Sequence, residues 1–281
     1  MKINPGNARG LLVPQGDRPF SFVVYSSEIR DFGKVEELTD KFISLIDNND
    51  KTIIKNHFNI DSDSFDAIKE NGIILLSNRD YVRYLFNEMD KLGLLEEIYS
   101  DPENRIGIVT NFSGIMNNNL VKSGLARLST KDIRDIYVYR NKFYHSITDE
   151  EYNCLNEEYC NIKQKLKVST QQFTCLTQSE IKNFFRIKRQ AILSEINEYP
   201  TKRFLTAQER QTAGEILGTV LVERLPDVPP SEREIIINEM NSLQQGRTMS
   251  RTLISYMIEC ADRQTNSDAD LIWLTFALEG L

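Results

Sequence analysis

Apolar side chains recur at three- and four-residue steps along most of this chain, and the stretches with that period start on residues that cap helices. From Lys34 the run Val35, Leu38, Phe42, Leu45 and Ile46 marks one face of an amphipathic helix. Phe65 to Lys69 predicts a short helix stopped by Asn71-Gly72, and Ser77-Asn78-Arg79-Asp80 opens another with Val82, Leu85, Phe86 and Met89 inward. Ser129 or Thr130 caps a helix from about Thr130 to Ser146 that carries Ile133, Ile136 and Tyr137 on one face. Thr148 and Glu151 stand at capping-box spacing before a helix through Leu155, Tyr159 and Ile162. A further helix from about Gln178 carries Ile181, Phe184, Phe185, Ile187 and Ile192. The fold class expected is therefore all-α, successive helical bundles behind an irregular N-terminal arm.

Punctuation divides the chain. Residues 1–19 hold Pro5, Gly6, Gly10, Pro14, Gly16 and Pro19 and read as a loose arm. Phe20 to Tyr25 is apolar and β-capable but isolated. Asp101-Pro102-Glu103-Asn104 is a break; beyond it Gly107 and Gly114 interrupt an apolar run, and Asn117-Asn118-Asn119 predicts a turn before Leu120-Val121. Pro200-Thr201-Lys202-Arg203 separates a helical domain over 20–200 from a small C-terminal bundle over 201–281. In that bundle Thr206 and Glu209 form a capping box ahead of Ile216, Leu217, Val220 and Leu221. Ser231 and Glu234 cap the next helix, with Ile235, Ile236 and Met240 inside. Helices over about Thr248 to Asp262 and Ser267 to Leu278 follow, and Trp273 is expected as a core anchor.

Composition excludes several function classes. A formal net charge of −7 argues against a surface that grips nucleic acid everywhere and leaves room only for a local basic patch. No run of about eighteen apolar residues exists, and the N-terminus has no apolar signal core, so a membrane-spanning or secreted chain is not expected. Cys154, Cys160, Cys175 and Cys260 form no CxxC pair and have no histidine nearby, which predicts reduced thiols, no metal and a cytoplasmic compartment. No P-loop, dinucleotide fingerprint, HExxH or GxSxG calls for a cofactor.

Chemistry concentrates in Tyr139-Arg140-Asn141-Lys142-Phe143-Tyr144-His145, which holds one of only two histidines. Arg140 is a permanent cation whose donor fork suits phosphate, and His145 exchanges a proton near neutral pH. Asn141 and His145 are four apart and adjoin on a helix surface, whereas Arg140 and His145 diverge by roughly 140°. The other histidine, His57, reads as a partly buried residue near a helix end. Lys182, Arg186, Lys188 and Arg189 flank Phe184 and Phe185, a pattern that suits either core rings among solvated charges or a surface that tracks RNA.

The Arg140-to-His145 run resembles the signature of HEPN domains, an arginine and a histidine four to six residues apart with a polar residue after the arginine. With Asp149, Glu150, Tyr152 and Tyr159 following, it is similar to the animal subfamily named after a DAZ-interacting zinc-finger protein. The resemblance implies a homodimer whose paired sets share one cleft and cut RNA without metal, with Arg140, Asn141 and His145 as the catalytic set. It equally implies non-catalytic members that bind nucleotides or serve in assembly, and it suggests a defence or toxin context. The succession of helices from Lys34 to Ile98 resembles a death-effector type of fold. It departs from that pattern where Lys91-Leu92-Gly93-Leu94 replaces the arginine, any residue, aspartate-leucine sequence. Two functions stand side by side, RNA cleavage or binding and a helical adaptor that docks protein partners.

Overall fold

The computed structural model describes residues 32–47, 66–100, 105–156, 174–242, 249–264 and 268–279, with single positions at 160, 164 and 168. The arm over 1–19, the run Phe20 to Tyr25, the break at Asp101 to Asn104, His57, Tyr159 and Ile162 lie outside them. The described residues are helical without a strand, as the periodicity predicts. In chain order the helices are α1 (Phe32–Asp47), α2 (Asp66–Leu76), α3 (Arg79–Lys91), α4 (Leu95–Ser100), α5 (Arg105–Gly124) and α6 (Thr130–Ser146). They continue as α7 (Asp149–Asn156), α8 (Gln178–Ile196), α9 (Ala207–Arg224), α10 (Pro230–Ser242), α11 (Arg251–Asp262) and α12 (Asp268–Glu279). Single 3-10 turns, Leu125–Arg127 and Leu225–Asp227, follow α5 and α9. Among the described residues no helix is long and apolar enough to cross a membrane.

Two compact units emerge, residues 1–121 with 188–198, and residues 122–187 with 199–281. This grouping differs from a cut at residue 200, because the helices after that point share a unit with α6.

In the first unit α1 lies along α3. Phe42 meets Phe86 edge to face at 5.8 Å between ring centroids, among Val35, Leu38, Val82, Leu85 and Met89, all buried. Asn78 caps α3 by accepting from the Tyr81 amide at 2.9 Å. At its other end Gly93 takes φ 73°, and the Gly93 and Leu94 amides donate to Asp90 and Met89 carbonyls, both at 2.9 Å. That backbone favours glycine, so Lys91-Leu92-Gly93-Leu94 is a helix stop.

Two expected breaks are absent. α2 runs through Gly72 to Leu76 rather than stopping, and α5 is continuous through Gly114 and Asn117 to Asn119. In α5, Val109, Phe112, Leu120 and Val121 are buried at helical spacing, so packing overrides the turn preference of the asparagines. Asn117 also gains a use there, accepting from the buried Tyr81 hydroxyl at 2.8 Å, a phenol whose burial pushes its pKa up to about 12.

The second unit is built around α11, which packs against α6, α9, α10 and α12. Tyr137 of α6 stacks on Trp273 of α12 at 6.1 Å and meets Phe276 edge to face at 5.6 Å. Its hydroxyl donates to the Phe276 carbonyl at 2.7 Å, and burial pushes it up to about 12. Trp273 is thus the core anchor the sequence predicts. On the other side Val220, Leu221, Ile236, Leu253, Tyr256 and Cys260 form a second apolar cluster. The Thr206 capping box opens α9 as expected. α10 starts at Pro230 instead of on a Ser231 cap, with the Pro229 carbonyl accepting from the Glu232 and Arg233 amides. Ile236 enters the core, whereas Ile235 is left exposed.

The cysteines correct another expectation. Cys154 and Cys160 are joined in a disulfide, their Cα atoms 5.1 Å apart, a separation at which two cysteines readily bridge. Cys175 and Cys260 are outside the disulfide, so the expectation of four reduced thiols does not hold.

Trp273→Ala should destabilise the protein by about 3–5 kcal/mol. Its melting temperature should fall on the order of 10 °C, while replacing the exposed Phe204 by alanine leaves it nearly unchanged; thermal denaturation followed by circular dichroism checks both.

Candidate functional site

α6 begins where the sequence places it. Ser129 Oγ accepts from the Asp132 amide at 3.2 Å, which makes Ser129 rather than Thr130 the cap. Ile133, Ile136, Tyr137 and Phe143 face inward, and the helix ends at Ser146, whose hydroxyl donates to the Phe143 carbonyl at 2.7 Å. Ile147 is buried just past the end, and the expected Thr148–Glu151 capping box then opens α7. Arg140, Asn141 and His145 consequently occupy the last turns of α6, as predicted.

The three do not converge. Arg140 places its guanidinium carbon 5.2 Å from the Tyr137 ring centroid, one turn back along its own helix. Asn141 and His145 turn instead to α11. The Ser255 hydroxyl donates to Asn141 Oδ1 at 2.6 Å, and His145 Nε2 lies 2.7 Å from Glu259 Oε1 and 3.1 Å from Ser255 Oγ. Asn141 Nδ2 reaches the same Glu259 oxygen at 3.5 Å. The result is a four-residue polar cluster, Asn141, His145, Ser255 and Glu259, in which Ser255 is buried and the His145 side chain is 57% exposed.

Flanking pairs orient the two helices. Arg134 binds Asp262 at 2.6 Å, and Arg251 binds Asp149 at 2.8 Å and the Tyr144 carbonyl at 2.7 Å. Residue numbers rise along α6 as they fall along α11, so the helices run antiparallel with His145–Glu259 inside a row of ion pairs. Surface pairs of this kind contribute only about 0–1 kcal/mol each, so the apolar contacts, Tyr137 foremost, hold α6 in place and the row fixes its register. Asp135 and Asp149, acids near enough in sequence to pair with Arg140, bind Lys131 with Asn183, and Arg251, respectively.

Some chemistry is ruled out by geometry. A serine, histidine and carboxylate in contact suggest a nucleophilic triad, but hydroxyl and carboxylate here meet the same ring nitrogen, and the Ser255 proton is already given to Asn141. Base stacking on α8 is excluded as well, since Phe184 and Phe185 are buried while Arg186 is bound to Asp132. Among the described residues no three His, Cys, Asp or Glu side chains gather as a metal-ligand set. Arg224, Asp227, Tyr256, Glu259, Cys260 and Arg263 line a cavity of about 120 Å³. That is well below the ~300 Å³ typical of small-molecule sites.

Ser255 and Glu259 were not found by sequence reasoning. They lie more than a hundred positions from His145, and the signal they leave, a polar pair one turn apart on an amphipathic helix, occurs on many solvated faces. Comparison with known families, proteins and solved structures gives no match.

Lys142, between the motif residues, is bound to Glu180 at the start of α8. Burial alone would raise the Glu180 pKa, but Lys142 and the Thr177 amide and hydroxyl together pull it below the ordinary carboxylate value. A depressed folded pKa contributes stability that is complete above the unfolded value of about 4.3 and is lost as pH falls through the lower folded one. Lys142→Met should therefore flatten the acid limb of stability on the acid side of about pH 4.3, measured by urea denaturation, with Glu180→Gln behaving alike.

Proposed function

We propose that this protein is a HEPN-like RNA-cleaving module whose reaction takes place on the open surface around His145. The observation that carries this reading is an imidazole that is solvent-exposed yet anchored at one nitrogen, 2.7 Å from Glu259, beside an amide held by Ser255. A general base has to be both fixed and reachable. His145 takes the proton of a ribose 2′-hydroxyl, and the freed oxygen forms a bond to phosphorus as the bond to the 5′-oxygen breaks. The 5′-oxygen leaves with a proton given by the imidazolium of a second copy's His145, leaving a cyclic phosphate and a 5′-hydroxyl. Water then restores both rings to their starting states. Arg140 neutralises the charge that grows on the phosphate, and Asn141 helps to orient the imidazole by holding Ser255 and Glu259, the two groups that meet it. Since Arg140 lies over the Tyr137 ring while His145 lies against Glu259, the arginine that meets a given imidazole is assigned to the second copy.

A second reading, the helical adaptor, is favoured by a different observation. Val222 on α9, Ile235 and Ile237 on α10, and Tyr199 and Phe204 ahead of α9 are large apolar side chains left in solvent.

Purified protein incubated with mixed RNA separates the two. Wild type should cut with or without excess chelator, His145→Ala should abolish cutting, Arg140→Ala should reduce it on the order of 100-fold or more, and Asn141→Ala should reduce it less. RNA left uncut by the wild type, or cut equally by His145→Ala, gives the function to the adaptor reading. Light scattering at micromolar concentration should show a homodimer; a monomer that retains activity would remove the composite site.

A further inference from the structure

We propose that Glu259 is a positioning residue for His145, fixing the ring so that Nδ1 is the nitrogen that works; this rests on the RNA-cleavage reading. The hydrogen bonds carry the assignment. Ser255 has one proton, and it goes to Asn141 Oδ1 at 2.6 Å, so Ser255 Oγ faces His145 with a lone pair at 3.1 Å. The Glu259 carboxylate at 2.7 Å only accepts. Two acceptors on one ring nitrogen require that nitrogen to carry the hydrogen, so Nε2 is the donor in the neutral ring and Nδ1 holds the lone pair. Asn141 Nδ2, 3.4 Å from Nε2, is itself a donor and turns to Glu259 instead. None of the described residues hydrogen-bonds Nδ1, and more than half of the side chain is open to solvent.

Nothing else on the facing helix competes for the ring. The other charged groups that α11 turns toward α6 are Arg251, bound to Asp149, and Asp262, bound to Arg134. On α6 itself Lys142 is bound to Glu180. Glu259 is therefore the one ionised group among these in contact with the imidazole. In the reaction, the 2′ O–H bond breaks as the Nδ1–H bond forms. The imidazolium so made keeps Nε2–H on a carboxylate, which offsets its new charge in place and prevents the ring from rotating. Glu259 touches no substrate in this scheme and acts only through His145.

The test compares wild type with Glu259→Gln, Ser255→Ala and His145→Ala on one short RNA, reading kcat and KM across pH. Glu259→Gln should lower kcat on the order of 10- to 100-fold with KM little changed. Ser255→Ala should do less. The ring-nitrogen NMR shifts of His145 supply a second readout that needs no turnover, with the hydrogen expected on Nε2 in the neutral ring of the wild type and spread over both nitrogens in Glu259→Gln, and an unchanged melting temperature shows that the fold is kept. If His145→Ala is inactive while Glu259→Gln keeps the wild-type kcat and ring tautomer, the positioning role is overturned and RNA cleavage stands. A faster Glu259→Gln enzyme overturns it too, since the carboxylate would then be blocking the ring. If the wild type leaves RNA uncut, or His145→Ala cuts as the wild type does, the cleavage reading itself fails and the inference falls with it.

Discussion

Burial of Tyr137 between Trp273 and Phe276 is the contact on which the second unit depends. It ties the middle of α6 to the last described helix of the chain, and its hydroxyl is satisfied by the Phe276 carbonyl, so no buried polar atom offsets the gain. The placement of the motif follows from that anchor. With Tyr137 inward, Arg140 lies one turn further along the same helix with its guanidinium over the ring, while Asn141 and His145 come round to face α11. The polar cluster is thus a consequence of core packing. The ion pairs around it set the register of two helices that apolar contacts have already brought together.

Local signals in the sequence were legible wherever their physics is local. The caps at Ser129, Thr148 and Thr206 depend only on a side-chain oxygen and an amide three residues on, and each forms as expected. Helix interiors were harder to read. Gly72 and Asn117 to Asn119 read as stops because their intrinsic preference is for turns, yet tertiary burial of Phe112, Leu120 and Val121 outweighs that preference. Pairing across the chain was least legible. The period that identifies α11 as a helix says nothing about which helix it meets, so Glu259 could not be matched to His145, nor Cys154 to Cys160. The cut at residue 200 follows punctuation, whereas the compact units follow contacts.

The angle between Arg140 and His145 gives the motif its meaning. On one helix the pair cannot hold a single phosphate, and the observed side chains make the separation concrete, one over an aromatic ring and the other on a carboxylate. Either the two act in different copies of one site, or each serves the local packing in which it is found. The second alternative needs no partner, which is why an activity lost with His145 and retained by fold is the measurement that separates them.

Charge adds a constraint on any RNA that binds here. The chain is acidic overall at −7, and the arginines of the row along α6 and α11, Arg134 and Arg251, each face a carboxylate. Such a surface exerts little long-range attraction on a polyanion, and few counterions are released on contact, so affinity depends only weakly on salt. Recognition then rests on short-range geometry at one phosphate rather than on a charged groove. On the RNA-cleavage reading proposed above, a second copy would provide the remaining cation without making either chain basic, which would reconcile a phosphate-directed motif with an acidic protein.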